Sequence, residues 1–420
     1  MSTLAFYVHI PYCVRRCGYC DFNTYTPAEL SISSDLSATS RSYIDLLLRE
    51  IEFARETSTA TLVPTIFFGG GTPTLMESSD LGRVISGIAS KFQLAPKAEI
   101  TTEANPDTVT REKLEELRAA GFNRISFGMQ SAVPHVLEAL DRTHNPENVF
   151  KATTWAREVG FEEVSVDLIY GTARESIADW EVSVDTALAL PITHISAYAL
   201  IVENGTKLGA QVKRGEVIMP DDDQTADKYL LADEKFTAAG FNWYELSNWS
   251  KPGSESRHNL AYWNGDNWWG AGAGAHSHID GRRFWNVKHP AAYSQKVLES
   301  GNPMHGQELL TAQEARSEEI MLQIRLVTGL QRASLSENEQ RSLSSFLSDG
   351  FLDGEAWARG AVVLSKTGRL IADRIVREIL LSRFRKPCRN ANSRSLEQSL
   401  MSMWRRKSLS DPRRSRSATR

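Results

Sequence analysis

Three cysteines near the N-terminus have the clearest chemistry in the sequence. They are spaced Cys13-x3-Cys17-x2-Cys20 and follow a short apolar run at residues 7–10. A thiolate normally holds one iron of a 4Fe-4S cube, so three thiolates leave one iron without a protein ligand. An open iron is a Lewis acid that can chelate the amino and carboxylate groups of a small molecule. The spacing therefore predicts a cluster that also binds a ligand.

Two other interpretations of the triplet stay open on the residues alone. Spacings of four and three also place the cysteines on one stripe of a helix, although Pro11 and Gly18 disfavour a helix there. A zinc site made of the three cysteines and His9 is chemically sensible too. Structural zinc sites, however, usually pair CxxC units across a longer gap. The pattern favours iron and sulfur.

A glycine-rich loop follows the second apolar run, with the sequence Gly69-Gly70-Gly71-Thr72-Pro73. Three successive residues without Cβ let a ligand approach the backbone closely. The loop lacks the downstream Lys of a phosphate-binding loop and the spaced glycines of a dinucleotide fingerprint. A tight turn between a strand and a helix is the alternative.

Several polar residues fall at or just after the ends of predicted strands. Glu103, Gln130 and Asp167 hold such positions, and Arg142 lies further on in a helix-like segment. Carboxylate and amide groups at these ends can bind ribose hydroxyls or an ammonium group, and a guanidinium can pair with a carboxylate. For any one of them, a solvated loop or a helix cap is the plainer role.

A second cluster of unusual residues lies between 241 and 285, where six of the ten tryptophans occur. Within it lies the hexapeptide His258-Asn259-Leu260-Ala261-Tyr262-Trp263. Imidazole is a common axial ligand of haem iron, and aromatic rings give a macrocycle apolar surfaces. The alternative is that His258 is a hydrogen-bonded core residue and that the tryptophans are core.

Strand-like runs alternate with helix-like stretches before this cluster. The strand-like runs are residues 7–10, 66–68, 100–103, 125–128, 164–168 and 195–200. The helix-like stretches include residues 42–55, 111–120, 146–159 and 179–188. Such alternation predicts an α/β fold with parallel strands, and six units suit an incomplete parallel (β/α)6 barrel. Ligands of such folds bind at the carboxyl ends of the strands.

The chain is expected to divide into four parts. Residues 1–240 form the partial barrel and 241–305 the Trp-, His- and Gly-rich segment. Residues 306–380 form a small α+β domain with an amphipathic helix at 317–326 and a hairpin at 361–369 leading into a helix at 370–380. Residues 381–420 form a basic tail, which the composition predicts to be disordered.

Composition excludes several classes of protein. No apolar run is long enough to span a membrane, and residues 1–10 do not resemble an export signal. Four cysteines, three of them within eight residues, point to a reducing compartment, so a cytoplasmic location is expected. The last forty residues carry twelve Lys/Arg and two acids, which leaves a net charge of −14 on residues 1–380. The folded body is therefore not expected to bind nucleic acid.

These motifs together resemble the radical S-adenosylmethionine (SAM) superfamily. Within it, the chain is similar to the branch of oxygen-independent coproporphyrinogen III oxidases and HemW-type haem chaperones. The resemblance runs from Tyr7 to about Leu380, and the HNxxYW segment looks like the HemW signature. It implies a 4Fe-4S cluster on Cys13, Cys17 and Cys20, and it implies SAM contacts at Tyr7, Tyr19, Gly70, Gly71, Thr72, Glu103, Gln130, Arg142 and Asp167.

The resemblance leaves a choice between a haem chaperone and an enzyme that acts on a tetrapyrrole. The oxidases carry a fourth cysteine two positions after the third, where this chain has Phe22, and a longer segment before the cluster. Both differences disfavour decarboxylation of coproporphyrinogen. The expected function is thus to bind haem, with His258, Asn259, Tyr262 and Trp263 at the haem site. The haem would pass to an unknown acceptor protein. Membrane-associated proteins are among the candidate acceptors. A winged-helix nucleic-acid binder is a third class, which the acidic body disfavours.

Overall fold

A computed structural model of the chain describes residues 2–32, 37–142 and 144–383. The chain divides into two compact units. The first contains residues up to Asn242 together with Trp249–Ala261 and Asp266–Leu309. The second contains Trp243–Asn248, Tyr262–Gly265 and the chain from Leu310 onward. Cys388 and nearly all of the predicted basic tail lie outside the described residues.

All six predicted strands are present in the first unit, and each is paired in parallel with the next. Most of their inner positions are buried, as expected of strands covered on both faces. The sheet does not close on itself, so the prediction of an incomplete parallel barrel is confirmed. The strands are β1 (Ala5–Ile10), β2 (Leu62–Gly70), β3 (Gln93–Ala104), β4 (Arg124–Gln130), β5 (Glu163–Tyr170) and β6 (His194–Ala199).

Helices connect these strands and cover the outer face of the sheet. Several begin at a residue whose side chain caps the helix. Thr110 caps one helix through the amide of Lys113, and Ser176 forms a capping box with Asp179 at the start of another. The helices are α1 (Pro27–Leu30), α2 (Ser37–Thr57), α3 (Ser78–Lys91), α4 (Arg111–Ala119), α5 (Pro134–Ala139), α6 (Pro146–Glu158), α7 (Ile177–Leu188), α8 (Lys207–Lys213) and α9 (Asp222–Ala238), with a 3-10 turn at Pro73–Leu75.

The Trp- and Gly-rich segment extends the same sheet. Within the first unit the strand order is β12-β11-β10-β9-β1-β2-β3-β4-β5-β6-β8. Strand β9 is parallel to β1, whereas β10, β11 and β12 continue the sheet in antiparallel pairs. The later elements are β7 (Asn242–Glu245), β8 (Asn248–Ser250), α10 (Arg257–Asn264), β9 (Trp268–Ala271), β10 (His276–Ile279), β11 (Arg282–Asn286), α11 (Pro290–Ser300) and β12 (Met304–Leu309).

The second unit is mainly helical around its own apolar core, which includes Ile320, Leu343, Val362 and Ile375. The expected helix near 317–326 is present as α12 and begins and ends earlier. The remaining elements are α12 (Ala312–Gln323), β13 (Leu330–Gln331), α13 (Glu337–Ser342), α14 (Ser344–Ser348), α15 (Gly354–Ala358), β14 (Ala361–Val362), α16 (Lys366–Leu370) and α17 (Ala372–Ser382), with a 3-10 turn at Arg332–Ser334.

The hairpin expected at 361–369 does not form. Strand β14 pairs instead with β13, about thirty residues earlier in the chain. Ser365 then starts a helix, because its side chain accepts a hydrogen bond from the amide of Gly368. Across the described residues, no helix has both the length and the hydropathy that a membrane span requires.

Candidate functional site

The three cysteines lie on one loop that leaves the carboxyl end of β1. Backbone hydrogen bonds fold this loop back on itself. The amide of Tyr25 donates to the carbonyl of Pro11 at 2.7 Å, and the amide of Cys13 donates to the carbonyl of Tyr25 at 3.0 Å. The amide of Cys20 donates to the carbonyl of Cys17 at 3.2 Å. The thiols are therefore displayed from a closed loop, and the helical-stripe interpretation is wrong.

His9 is not available as a fourth ligand. Its Nε2 lies 2.9 Å from the carbonyl of Asn23, which can only accept, so Nε2 carries the proton. Its Nδ1 then accepts from the hydroxyl of Tyr7 at 2.9 Å. Burial lowers the pKa of His9 to about 4, which keeps the ring neutral. Both ring nitrogens are occupied, and this argues against the zinc interpretation.

The thiols suit a cluster better than a single ion. Among residues 2–32, 37–142 and 144–383, no three His, Cys, Asp or Glu side chains converge on one metal position. A cube of four irons holds its thiolates on different irons and needs no such convergence. Burial raises the pKa of the Cys13 thiol to about 11 and that of Cys20 to about 12. The positive charge of bound iron would favour the thiolates, so the donor set fits a 4Fe-4S cluster.

The glycine-rich loop runs directly beside the cysteine loop. The amide of Gly71 donates to the carbonyl of Ile10, and the amide of Thr72 donates to that of Tyr12, both at 2.8 Å. A Cβ on Gly71 would lie 2.3 Å from the Tyr12 carbonyl oxygen. A Cβ on Gly70, whose φ is +110°, would lie 2.4 Å from the His9 ring. The glycines thus permit the two loops to touch.

Glu103 and Gln130 lie at the carboxyl ends of the neighbouring strands. The Oε2 of Glu103 accepts from the amide of Gly70 at 3.1 Å, so it joins β3 to the glycine loop. Gln130 is the last residue of β4 and has a φ of +61°, a backbone conformation that residues other than glycine rarely adopt. Such backbone strain commonly accompanies a functional role.

Arg142 connects the fourth strand to the cysteine loop. Its Nη2 donates to the carbonyl of Gly128 at 2.9 Å, and its Nη1 donates to the Sγ of Cys17 at 3.5 Å. The expectation that Arg142 lies in a helix-like segment is wrong. It follows the short helix α5 in the connection to α6, because α5 ends at Ala139 and Asp141 has a φ of +58°.

Three further predicted residues complete this face. Asp167 lies within β5, three residues before its end, and its Oδ1 accepts from the hydroxyl of Ser126 at 3.1 Å. Burial raises the pKa of Asp167. Tyr7 is on β1, and Tyr19 packs beside an apolar cluster that contains Val136. The predicted cofactor residues therefore share the carboxyl-terminal half of β1–β5 and the loops that follow it.

His258 lies elsewhere on the same inner face. Its side chain stacks on Phe67 with ring centroids 5.2 Å apart, and its Nδ1 is 2.8 Å from the hydroxyl of Thr65. The residue is 1 % exposed, and burial lowers its pKa to about 3. Thr65 precedes Phe67 by two residues on the same side of β2. His258 thus lies toward the amino end of the strands, below the cofactor residues.

Helix α10 is held there by a carboxylate that sequence reasoning missed. Glu99 on β3 accepts from the amides of Arg257 at 3.0 Å and His258 at 2.9 Å. Arg124 on β4 lies 3.8 Å from Glu99 and donates to the carbonyl of Ser254 at 2.9 Å. A helix N-terminus favours a negative charge. No local pattern signals this network, because its members are up to about 160 residues apart.

The remaining residues of the HNxxYW segment divide between the units. The amide of Asn259 donates to the hydroxyl of Ser256 at 3.3 Å in the first unit. Tyr262 and Trp263 belong to the second unit. Within the described part of the chain, the buried indole nitrogen of Trp263 has no hydrogen-bond partner.

Comparison with known proteins identifies the family. Residues 7–187 match the Radical SAM superfamily. The chain is 46 % identical over 375 residues to the heme chaperone HemW of Mycobacterium tuberculosis H37Rv, covering 89 % of this chain and 94 % of the relative. It is 35 % identical over 378 residues to HemW of Bacillus subtilis, covering 88 % and 97 %. This chain belongs to the HemW family of radical SAM proteins.

The fold of this HemW-family chain is also found in a solved enzyme. Coproporphyrinogen III oxidase (HemN) from Escherichia coli superposes with a TM-score of 0.76, covering 90 % of each chain at 23 % identity. That likeness concerns the fold alone. The superfamily match contains the three cysteines and every predicted SAM residue, whereas His258 lies beyond its end. The radical SAM superfamily carries a 4Fe-4S cluster and SAM, and the cysteine loop fits the former.

Proposed function

We propose that this protein is a haem chaperone, which binds haem and transfers it to an acceptor protein. Its similarity to HemW proteins over almost their whole length carries the proposal. Cys13, Cys17 and Cys20 would hold a 4Fe-4S cluster whose open iron binds SAM. The bound cluster and SAM together can supply one-electron chemistry.

The protein's own residues would position this cofactor. Arg142 would face the cofactor carboxylate and the cluster at once, and its contacts with Cys17 and the fourth strand support this role. Glu103 and Asp167 offer carboxylates for the ammonium and ribose groups. Polar groups of this kind fix orientation inside a site that is otherwise apolar.

Decarboxylation of coproporphyrinogen is the alternative activity. Phe22 stands where the resembled oxidases carry a fourth cysteine. Its side chain is 38 % exposed. An exposed phenyl ring provides no thiol chemistry. The likeness to HemN does not carry this activity to the chain, because at 23 % identity it concerns only the fold.

The partners and the compartment belong to the proposal as well. The acceptor would be a haem protein. Membrane-associated haem proteins are among the candidate acceptors. The cytoplasm suits the three cysteines, since thiols that ligate iron must stay reduced. His258 as a haem ligand stays a prediction. Ligation of haem iron by His258 would require helix α10 to move away from the sheet, because the imidazole is buried against Phe67 and Thr65.

The test is an anaerobic reconstitution of the full chain with iron and sulfide, followed by titration with haem. We expect a Soret shift and subsequent transfer of haem to an apo-haem protein. Coproporphyrinogen, SAM and a reductant are supplied in a parallel reaction. Efficient decarboxylation, or the absence of haem binding, would contradict the proposal. Cys17→Ser tests the cluster, and the matched control is Ser90→Ala on the exposed face of α3.

A further inference from the structure

Thr24 is a buried residue of the cysteine loop that the proposed SAM site does not use. Its side chain is 1 % exposed. The neighbours on both sides are anchored. The side chain of Asn23 donates to the carbonyls of Ala273 at 3.0 Å and Lys288 at 2.9 Å. Tyr25 is held by the two backbone hydrogen bonds that close the loop. Thr24 therefore has a fixed position between two anchored residues.

The pairing of Tyr12 with Tyr25 turns Thr24 toward the first cysteine. These two tyrosines form a parallel bridge. Successive side chains of an extended chain point to opposite sides, so the side chains of Cys13 and Thr24 leave the bridge on the same side. Burial raises the pKa of the Cys13 thiol, and the Thr24 hydroxyl is among the groups that oppose this rise. The hydroxyl is thus a close neighbour of the Cys13 sulfur.

The Thr24 hydroxyl has no partner of its own. Its Oγ1 is buried, and within the described residues no donor or acceptor meets it in hydrogen-bond geometry. A buried hydroxyl without a partner destabilises the folded state. The sulfur of a thiol is a weak acceptor, whereas a thiolate carries a negative charge and accepts more strongly. Thr24 is therefore suited to the thiolate that a bound cluster requires.

The other donors beside the cysteines are also expected to meet SAM. The hydroxyl of Thr72 opposes the rise in the pKa of Cys13 too, but it belongs to the glycine loop and is a predicted SAM contact. Arg142 donates to the Sγ of Cys17 at 3.5 Å and is another predicted SAM contact. Thr24 lies on the cysteine loop itself and is not among the predicted SAM residues. It can serve the cluster alone.

From these observations we infer that the Thr24 hydroxyl donates a hydrogen bond to the Cys13 thiolate of the loaded cluster and raises the reduction potential of that cluster. The inference rests on the proposed cluster at the three cysteines and requires no haem. Reduction adds one electron, which dithionite supplies in vitro, and no covalent bond forms or breaks. A hydrogen bond to a ligand sulfur stabilises the added negative charge, and such bonds are among the factors that set cluster potentials.

The test is an anaerobic redox titration of the reconstituted full chain without SAM, followed by electron paramagnetic resonance of the reduced cluster. Thr24→Val keeps the branched shape and removes the hydroxyl, whereas Thr24→Ser keeps the hydroxyl. Thr101→Val is the matched control, because Thr101 lies on β3 and is also 1 % exposed. In the described part of the chain its buried Oγ1 likewise has no partner. Iron and sulfide analysis shows which variants carry a complete cluster.

We expect Thr24→Val to make reduction about tenfold less favourable, which lowers the potential of a one-electron couple by about 59 mV. Thr24→Ser and Thr101→Val should stay close to the wild-type potential. A fully loaded Thr24→Val chain with the wild-type potential would overturn the hydrogen bond while leaving the cluster and the chaperone function standing.

Thr24→Ala supplies the second reading if the valine variant does not assemble its cluster, because alanine also lacks the hydroxyl and takes less space. The same fall in potential is expected there, and an unchanged potential would again overturn the inference. A wild-type chain that assembled no 4Fe-4S cluster would refute the cluster site and this inference together. Haem binding is measured separately and tests the chaperone function.

Discussion

At the scale of single residues, Arg142 joins two parts of the site that come from distant parts of the chain. Its guanidinium contacts the Cys17 thiol and the Gly128 carbonyl at the same time. A guanidinium is a planar fork with several donors, whereas an ammonium is a single point charge. The positive charge alone is therefore not sufficient for this role.

We predict that Arg142→Lys weakens SAM binding by about tenfold or more, because charge-assisted hydrogen bonds contribute roughly 1.5–3 kcal/mol. Equilibrium dialysis with the reconstituted protein measures this. Arg15→Lys is the control, since Arg15 is an exposed cation of the same loop that pairs with Asp141. Equal affinity in both variants would show that Arg142 does not touch the cofactor.

Gly70 tests the contact between the glycine loop and the cysteine loop. We expect Gly70→Ala to lower the free energy of unfolding by about 3 kcal/mol or more, because the backbone is strained for an L-residue and Cβ would strike the His9 ring. Gly205→Ala separates the two causes, since Gly205 also has a positive φ and nothing lies within 4 Å of its Cβ. We expect a loss of about 1 kcal/mol there. Urea denaturation that gives equal losses would refute the steric contact.

The sequence alone led to the cysteines, because their spacing is local and each thiol acts from the same loop. It also led to Glu103 and Gln130, since strand ends of a parallel sheet meet at one edge. The sequence does not predict that Glu99 and Arg124 hold α10, because each is an ordinary charged residue until the fold brings it next to that helix. For His258 the sequence left two roles open, a haem ligand and a hydrogen-bonded core residue, and only the fold shows that its ring is buried.

At the scale of elements, the six strands of the barrel are predictable because each is a short run rich in β-branched or aromatic residues that ends in polar or glycine-rich residues. The pairing of β13 with β14 is not, since strands of two residues carry no periodic signal and their partners are distant. The continuation of the sheet through β9 to β12 also depends on long-range contacts. Among them are the hydrogen bonds that the carboxylate of Glu50, on helix α2, accepts.

Glu50 is fully buried and accepts four hydrogen bonds from residues around β9. They come from the hydroxyl of Tyr293 at 2.6 Å, the amide of Gly272 at 2.8 Å, the Nδ2 of Asn286 at 2.7 Å and the indole of Trp269 at 3.4 Å. Burial raises the pKa of Glu50 to about 7. The folded state therefore binds a proton more tightly than the unfolded state, in which the pKa is near 4.5.

This shift sets the sign of a stability prediction. The contribution is fully present below about pH 4.5 and is lost as the pH rises through about 7. It amounts to about 3 kcal/mol over that range, as an order of magnitude. We expect Glu50→Gln to remove this part of the pH dependence in urea unfolding at pH 5 and pH 8. Glu52→Gln, an exposed neighbour on α2, should retain it. An unchanged slope in Glu50→Gln would refute the raised pKa.

At the scale of the whole molecule, the division into two units could not be read from the sequence. The expected boundaries at 240 and 305 follow composition, whereas the compact units exchange short segments, so that α10 itself is divided between them. Composition reports which residues resemble one another. Packing decides which residues share a core.

The charge distribution, by contrast, is fixed by the sequence and makes a prediction about the whole chain. Residues 384–420 carry eleven Lys/Arg and two acids, so a chain that ends at Arg383 has a net charge of −13. Contacts with phosphates release counterions, and binding that depends on them falls steeply with salt. We expect the full chain to bind a labelled DNA duplex weakly at 50 mM NaCl and to lose that binding at 200 mM. The chain ending at Arg383 should not bind at either concentration.

Fluorescence anisotropy measures both chains, and a full chain with the tail arginines replaced by glutamine separates charge from length. If the truncated chain bound DNA as well as the full chain did, the acidic body would possess a basic face that its net charge conceals, and the exclusion of nucleic acid as a partner would be wrong. If the glutamine variant kept its binding, the contact would not be electrostatic, because neutral amides release no counterions. Loss of binding in both variants, with haem binding unchanged, would confine the polyanion contact to the tail and leave haem to the acidic body.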